Sequence, residues 1–179
     1  MWLADVKTKA RRKNQILFSK DSLLLNDLRH LIDQANRRAL ILWALELAEE
    51  TGLQLTERYP DDHRPREAIA AARAWAAGEI KMPTAKQAIL NCHAMAKELE
   101  NPADVARCHA VGQACSVVHT AGHALGYPMY ELTAIVLDLG LEACRDPVEQ
   151  RVIYYEQRIR YWMEYEKICQ QNWADFLKK

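Results

Sequence analysis

Glycine and proline are scarce, six of each in 179 residues, which excludes collagen-like and low-complexity chains. An excess of charge of one sign is also missing. The 24 Lys and Arg balance 24 Asp and Glu, so the formal net charge is zero. That argues against a protein held on nucleic acid mainly by global electrostatics, and it removes a charge-based reason for membrane attachment. No apolar run approaches the roughly 18 residues of a membrane span. No glycine-rich phosphate loop occurs, and neither a Walker A motif nor a G-x-S-x-G elbow is present, which excludes nucleotide binding or hydrolase chemistry by those devices. The C-x-x-C pair is absent as well, so zinc-knuckle and thioredoxin-type readings fail. The five cysteines are Cys92, Cys108, Cys115, Cys144 and Cys169. Five of the seven residues from Lys7 to Lys13 are basic, with no apolar core and small-residue cleavage site after them. With the odd cysteine count this predicts reduced thiols and a cytoplasmic location.

What is present is helical. Half the residues are hydrophobic and 27% are charged, enough for one domain with a real core. Val, Ile and Thr are sparse, and apolar residues recur at helical spacing. The pattern predicts an all-α fold, a single compact bundle of about seven helices over residues 1–179 with a long C-terminal helix. A basic, helical N-terminal segment over 1–20 precedes them. The first helix runs from about Asp21 to Ala35, and the second from Asn36 to Thr51, with Gly52 as its C-cap. The third starts at Asp61 or Asp62, tolerates Pro65 in its first turn and ends at Gly78. The fourth spans about 83–100 and stops at Asn101-Pro102. The fifth covers about 103–125, the sixth 128–144 and the last 146–177, roughly 45 Å long at 1.5 Å per residue.

In the fifth of these helices His119 and His123 are four apart, a spacing that points two rings the same way. A zinc-protease helix needs Glu after the first His, and here Thr120 stands there, so that reading fails. A metal site for zinc or another divalent ion stays open as an alternative, in a metal-binding protein or metal-dependent hydrolase. His119 and His123 would be partial ligands, helped by His93, Cys115, Cys92, Glu131 or Asp138. Cys115 and His119 have the spacing of a thiol–imidazole pair, yet no oxyanion donor accompanies them. Asp61, Asp62, Arg64 and Arg66 make a polar loop, for which helix capping is the cheaper explanation of the carboxylates. In the last helix Tyr154, Arg158, Tyr161 and Tyr165 form a stripe beside the apolar one. Tyr, Trp and Arg are favoured at binding hot spots, so this stripe fits a partner surface or a homodimer seam.

The 58–80 segment, RYPDDHRPREAIAAARAWAAGEI, resembles the signature stretch of a family of immunity proteins associated with bacterial polymorphic toxin systems. Its Arg-Pro-Arg, Ala-Ile, Ala-Arg-Ala-Trp and Gly-Glu-Ile elements carry the likeness. His119-Thr120-Ala121-Gly122-His123-Ala124 matches the family's later His-x-x-x-His-Ala, and the Glu- and Trp-bearing C-terminal helix is similar. The resemblance covers roughly residues 40–177. It departs where Cys92, Cys108 and Cys115 interrupt the Ala-rich context and where Tyr127-Pro128-Met129-Tyr130 stands. It implies a non-catalytic protein without a cofactor that binds a protein partner, a cognate toxin domain. The residues expected to make that contact are Tyr154, Arg158, Tyr161 and Tyr165 first, then Asp61, Asp62, Arg64 and Arg66. Neither nucleic acid nor membrane is an expected partner.

Overall fold

One helix is apolar on nearly every side, and the rest of the molecule is arranged around it. Ala39 to Leu45, Leu47, Ala48, Thr51, Gly52 and Leu55 are all buried in the helix Arg37–Arg58. A helix apolar all round belongs inside a core. In the computed structural model, which describes residues 1–179, this is α3 of eight α-helices, and no strand occurs. The others are α1 (Trp2–Arg11), α2 (Asn26–Gln34), α4 (Arg64–Ala76), α5 (Met82–Met95), α6 (Pro102–Ser116), α7 (Gly126–Leu139) and α8 (Arg145–Tyr165), with short 3-10 turns between some of them. α3 packs on α4, α6 and α8, and α6 in turn lies on α7. One continuous core of 44 buried residues reaches from Val6 to Leu177. No helix is long and apolar enough to cross a membrane.

The all-α class is as the residue pattern predicts, and several boundaries are not. Gly52 does not end α3. A Cβ there would sit 2.7 Å from Ile69 Cδ1 of α4, so the glycine serves the close approach of two helices. Burial of Thr51 and Leu55 on either side outweighs the roughly 1 kcal/mol that glycine costs a helix. The predicted helix over 103–125 stops at Ser116. A turn and a 3-10 segment, Ala121–His123, take its place. Arg37 donates to the carbonyls of Val118 (2.9 Å) and His119 (3.0 Å), so side-chain nitrogen caps the chain where the ladder ends. His119 and His123 are therefore not stacked one turn apart on a helix.

The C-terminal helix ends at Tyr165 instead of 177, about 32 Å long rather than 45. The chain folds back from there. The amide of Ala174 donates to the carbonyl of Ala76 (2.7 Å), Arg38 Nε donates to the carbonyl of Leu177 (2.7 Å), and Trp173 is buried. Gly78 has φ +79°, and a Cβ there would press on the Ala174 backbone at 3.2 Å. The basic N-terminal segment is helical only to Arg11. Leu17 and Phe18 then plug into the core as irregular chain.

Candidate functional site

α8 runs antiparallel to α3, and two carboxylates of α3 face two arginines of α8. Glu50 meets Arg151, and Glu46 meets Arg158. Around the second pair an aromatic cluster is built. Arg158 grips Glu46 with two nitrogens (2.6 and 3.0 Å), and Trp162 Nε1 donates to the same carboxylate (2.6 Å). The guanidinium lies 4.2 Å from the Tyr161 ring centroid. Tyr161 and Tyr165 stack with centroids 5.6 Å apart and planes 12° from parallel, and Trp162 stands edge-on to both. Tyr161 is 44% and Tyr165 39% exposed, high for large aromatic side chains. Rings already stacked on each other and held by a Glu-bound arginine lose little further freedom on docking. The arrangement suits a hot spot: aromatic area, one oriented cation and a polar rim.

Of the four residues singled out on α8, three come together here. Tyr154 lies apart. It is half-buried and donates to Glu50, and burial together with that carboxylate pushes its hydroxyl up to about 12. It belongs to an internal network in which Arg151 bridges Glu50, the buried Glu131 and the Tyr127 hydroxyl, while Tyr155 donates to Glu131. Burial drives the Glu131 carboxyl up, and the Arg151 guanidinium pulls it part of the way back. Sequence reasoning missed Glu46 and Trp162 in the exposed cluster. Their signal was present: Glu46 and Glu50 stand four apart on α3, the spacing of one helix face, and Arg151 and Arg158 stand seven apart on α8.

The polar loop is organised differently. Asp62 accepts from the backbone N of Arg64 (3.1 Å) and from its guanidinium, which also reaches Glu98 of the turn after α5. The Arg64 hydrogen bonds hold the Asp62 carboxyl below its ordinary range. Arg66 bonds His63, and Asp61 is exposed. Asp61, Asp62, His63 and Arg64, with Arg58 and Tyr59, line an open hollow of about 720 Å³, and Arg66 stands outside it. Its charges are spent mostly on one another, tying α4 to α5. It lies beyond the C-terminus of α3, roughly 20 Å of helix axis from Glu46, so loop and α8 cluster are two surfaces.

The residues proposed for a metal go to separate neighbours. His119 stacks on Trp75 (5.8 Å), and His123 Nδ1 meets Gln113 Oε1 (2.9 Å). His93 Nδ1 meets His109 Nδ1 (2.9 Å), and Cys115 is fully buried. Glu131 and Asp138 are engaged by Arg151 and Arg107, and the Cys92 thiol donates to the Cys108 carbonyl. No group of three or more His, Cys, Asp or Glu side chains stands where it could hold an ion. Burial pushes the thiols of Cys108 and Cys115 up to about 12, which keeps them protonated and unreactive near neutrality.

The histidine pair yields a pH prediction. The His93 ring rests where a Cβ on residue 112 would be, 2.2 Å from its Nε2, so Gly112 makes the seat. Burial, then His109 and His123, lower His93 to about 4, and burial lowers His109 and His123 too. In the unfolded chain these rings titrate near ~6.5. Below that pH the unfolded state takes up protons the folded state refuses, so stability present above ~6.5 is lost as pH falls toward 4. Urea denaturation at pH 7 and pH 5 is expected to show a larger drop for the native chain than for His93→Gln/His109→Gln. An equal drop would sink this account.

The model of a family described as "Imm-5 like putative immunity protein" matches residues 30–158, which takes in α3 to α7 and most of α8. No curated protein and no solved structure matches the chain.

Proposed function

Because the chain belongs to the Imm-5-like immunity protein family, we propose that it protects by holding a cognate toxin domain, without chemistry, on the exposed end of α8. The observation that carries this reading is the prestacked pair Tyr161 and Tyr165 beside Arg158, open to solvent at the C-terminal end of α8. Burying two such rings supplies area at modest entropy cost, and the oriented guanidinium supplies a directional contact. The Glu46 carboxylate keeps Arg158 and Trp162 in place before the partner arrives. The loop at Asp61 to Arg66, where Arg64 is already paired with Asp62 and Glu98, is a secondary surface.

Co-expression tests the proposal. Toxin candidates encoded beside the gene are produced with the native chain or with Tyr161→Ala/Tyr165→Ala. Growth is expected to be rescued by the native chain and to fail with the variant, whose helicity by circular dichroism stays unchanged. If no candidate is bound or neutralised by the native chain, the proposal loses its support.

A further inference from the structure

A groove separate from the α8 cluster opens where α2, the start of α3, the 3-10 turn at Ala121–His123 and the start of α7 meet. Its volume is about 730 Å³, within the range of ligand-holding clefts. Ile32, Leu40, Leu125 and Met129 contribute apolar wall. Lys20, Arg29 and Arg37 stand on it against one carboxylate, Asp33. None of the three cations belongs to a salt bridge, whereas the nearby Lys9 and Arg38 do. The two arginines are held by neutral acceptors instead. Arg29 donates to the Lys20 carbonyl (2.8 Å) and to Asn26 Oδ1 (2.6 Å). Arg37 donates to the carbonyls of Val118 and His119. Both guanidiniums are thus positioned while their charge stays uncompensated, in a protein whose other arginines mostly face carboxylates.

We infer that this groove docks a short acidic segment of a protein partner, carboxylates on Arg29 and Arg37 and apolar side chains on the wall between them. The inference rests on the reading that the chain works by holding a protein. The groove is also continuous with the α8 end of the molecule: Arg37 lies over Phe176, and its neighbours Asn36 and Arg38 bond Glu166, next to Tyr165. A partner seated on Tyr161 and Tyr165 has the groove within reach of an extended segment. An apolar floor with a cationic rim favours such a segment over a free inorganic anion, which would leave the floor unfilled.

The test uses the full-length chain and a random peptide library displayed on phage, selected at low salt. Enriched peptides are expected to combine Asp or Glu with Leu, Ile or Phe, and to bind less as salt rises. Affinity is expected to fall at least ~10-fold when the peptide's carboxylates become amides and in Arg29→Gln/Arg37→Gln. Gly122→Trp gives a second variant. A Cβ there meets nothing closer than Thr120 Cγ2 at 3.7 Å, so the indole can fill the groove mouth without disturbing the core, and binding is expected to vanish. Failure of enrichment, enrichment of neutral peptides, undiminished binding to Gly122→Trp, or displacement by free glutamate as effective as by peptide would each overturn the inference. The readout needs no toxin and leaves Tyr161 and Tyr165 untouched, so its failure is distinct from failure of toxin protection.

Discussion

Arg151→Met is expected to lower stability by about 3–5 kcal/mol, because it leaves the buried Glu131 without its cation. Native Glu131 is 5% exposed and accepts from Arg151 Nε on both its oxygens (3.1 and 3.0 Å) and from the Tyr155 hydroxyl. Arg151 also lies 4.8 and 5.1 Å from the Tyr154 and Tyr155 ring centroids, so packing is lost with the charge. For a chain of this size the loss corresponds to roughly 10 °C in Tm. The variant also carries a pH signature. Without Arg151 the Glu131 carboxyl titrates higher still in the folded state than in the unfolded chain. Folding then takes up a proton, a contribution present at low pH and lost as pH rises. The deficit is accordingly larger at pH 8 than at pH 5. Glu131→Gln placed in the Arg151→Met background keeps an acceptor for Tyr155 and is expected to recover most of the loss. Thermal denaturation of the three proteins at both pH values is the measurement, and a pH-independent deficit would show that the charge of Glu131 is not the cause.

Asp104→Ala is the second large effect, about 3 kcal/mol. Asp104 is 2% exposed and accepts from Arg58 (2.5 Å), Tyr59 (2.8 Å) and Arg107 (2.8 Å). It also stands in the first turn of α6, where a carboxylate complements the helix dipole. Removing it unpins the end of α3 and the start of the Asp61 to Arg66 loop, while Arg107 keeps Asp138. Hydrogen exchange is expected to accelerate at residues 59–66 and to stay unchanged along α8. Equal acceleration in both places would contradict the independence of the two surfaces.

Local chemistry was legible in the residues, and capture by distant partners was not. Asn101-Pro102 opens α6 as its side chains dictate: Asn101 accepts from the amides of Ala103 (2.8 Å) and Asp104 (3.2 Å). Pro65 sits at the start of α4, and Gly78 turns the chain with positive φ. By contrast, Ser116 ends α6 where Arg37, some eighty positions earlier, takes the next carbonyls. The helix expected to reach 177 ends at 165, and its tail is pinned by Arg38 and by the Ala76 carbonyl. Periodicity alone carries neither signal. The candidate site shows the same division. Helical spacing placed Arg158, Tyr161 and Tyr165 on one stripe, as observed. Spacing could not separate Tyr154, one turn deeper against Glu50, from its exposed neighbours.

Binding of a purified cognate toxin domain to the native chain and to Tyr161→Ala/Tyr165→Ala, followed by titration calorimetry, tests the central claim most directly. The account predicts a loss of about 2–4 kcal/mol, roughly 30- to 1000-fold in Kd, with the fold of the variant intact. An unchanged Kd would place the interface elsewhere and contradict it.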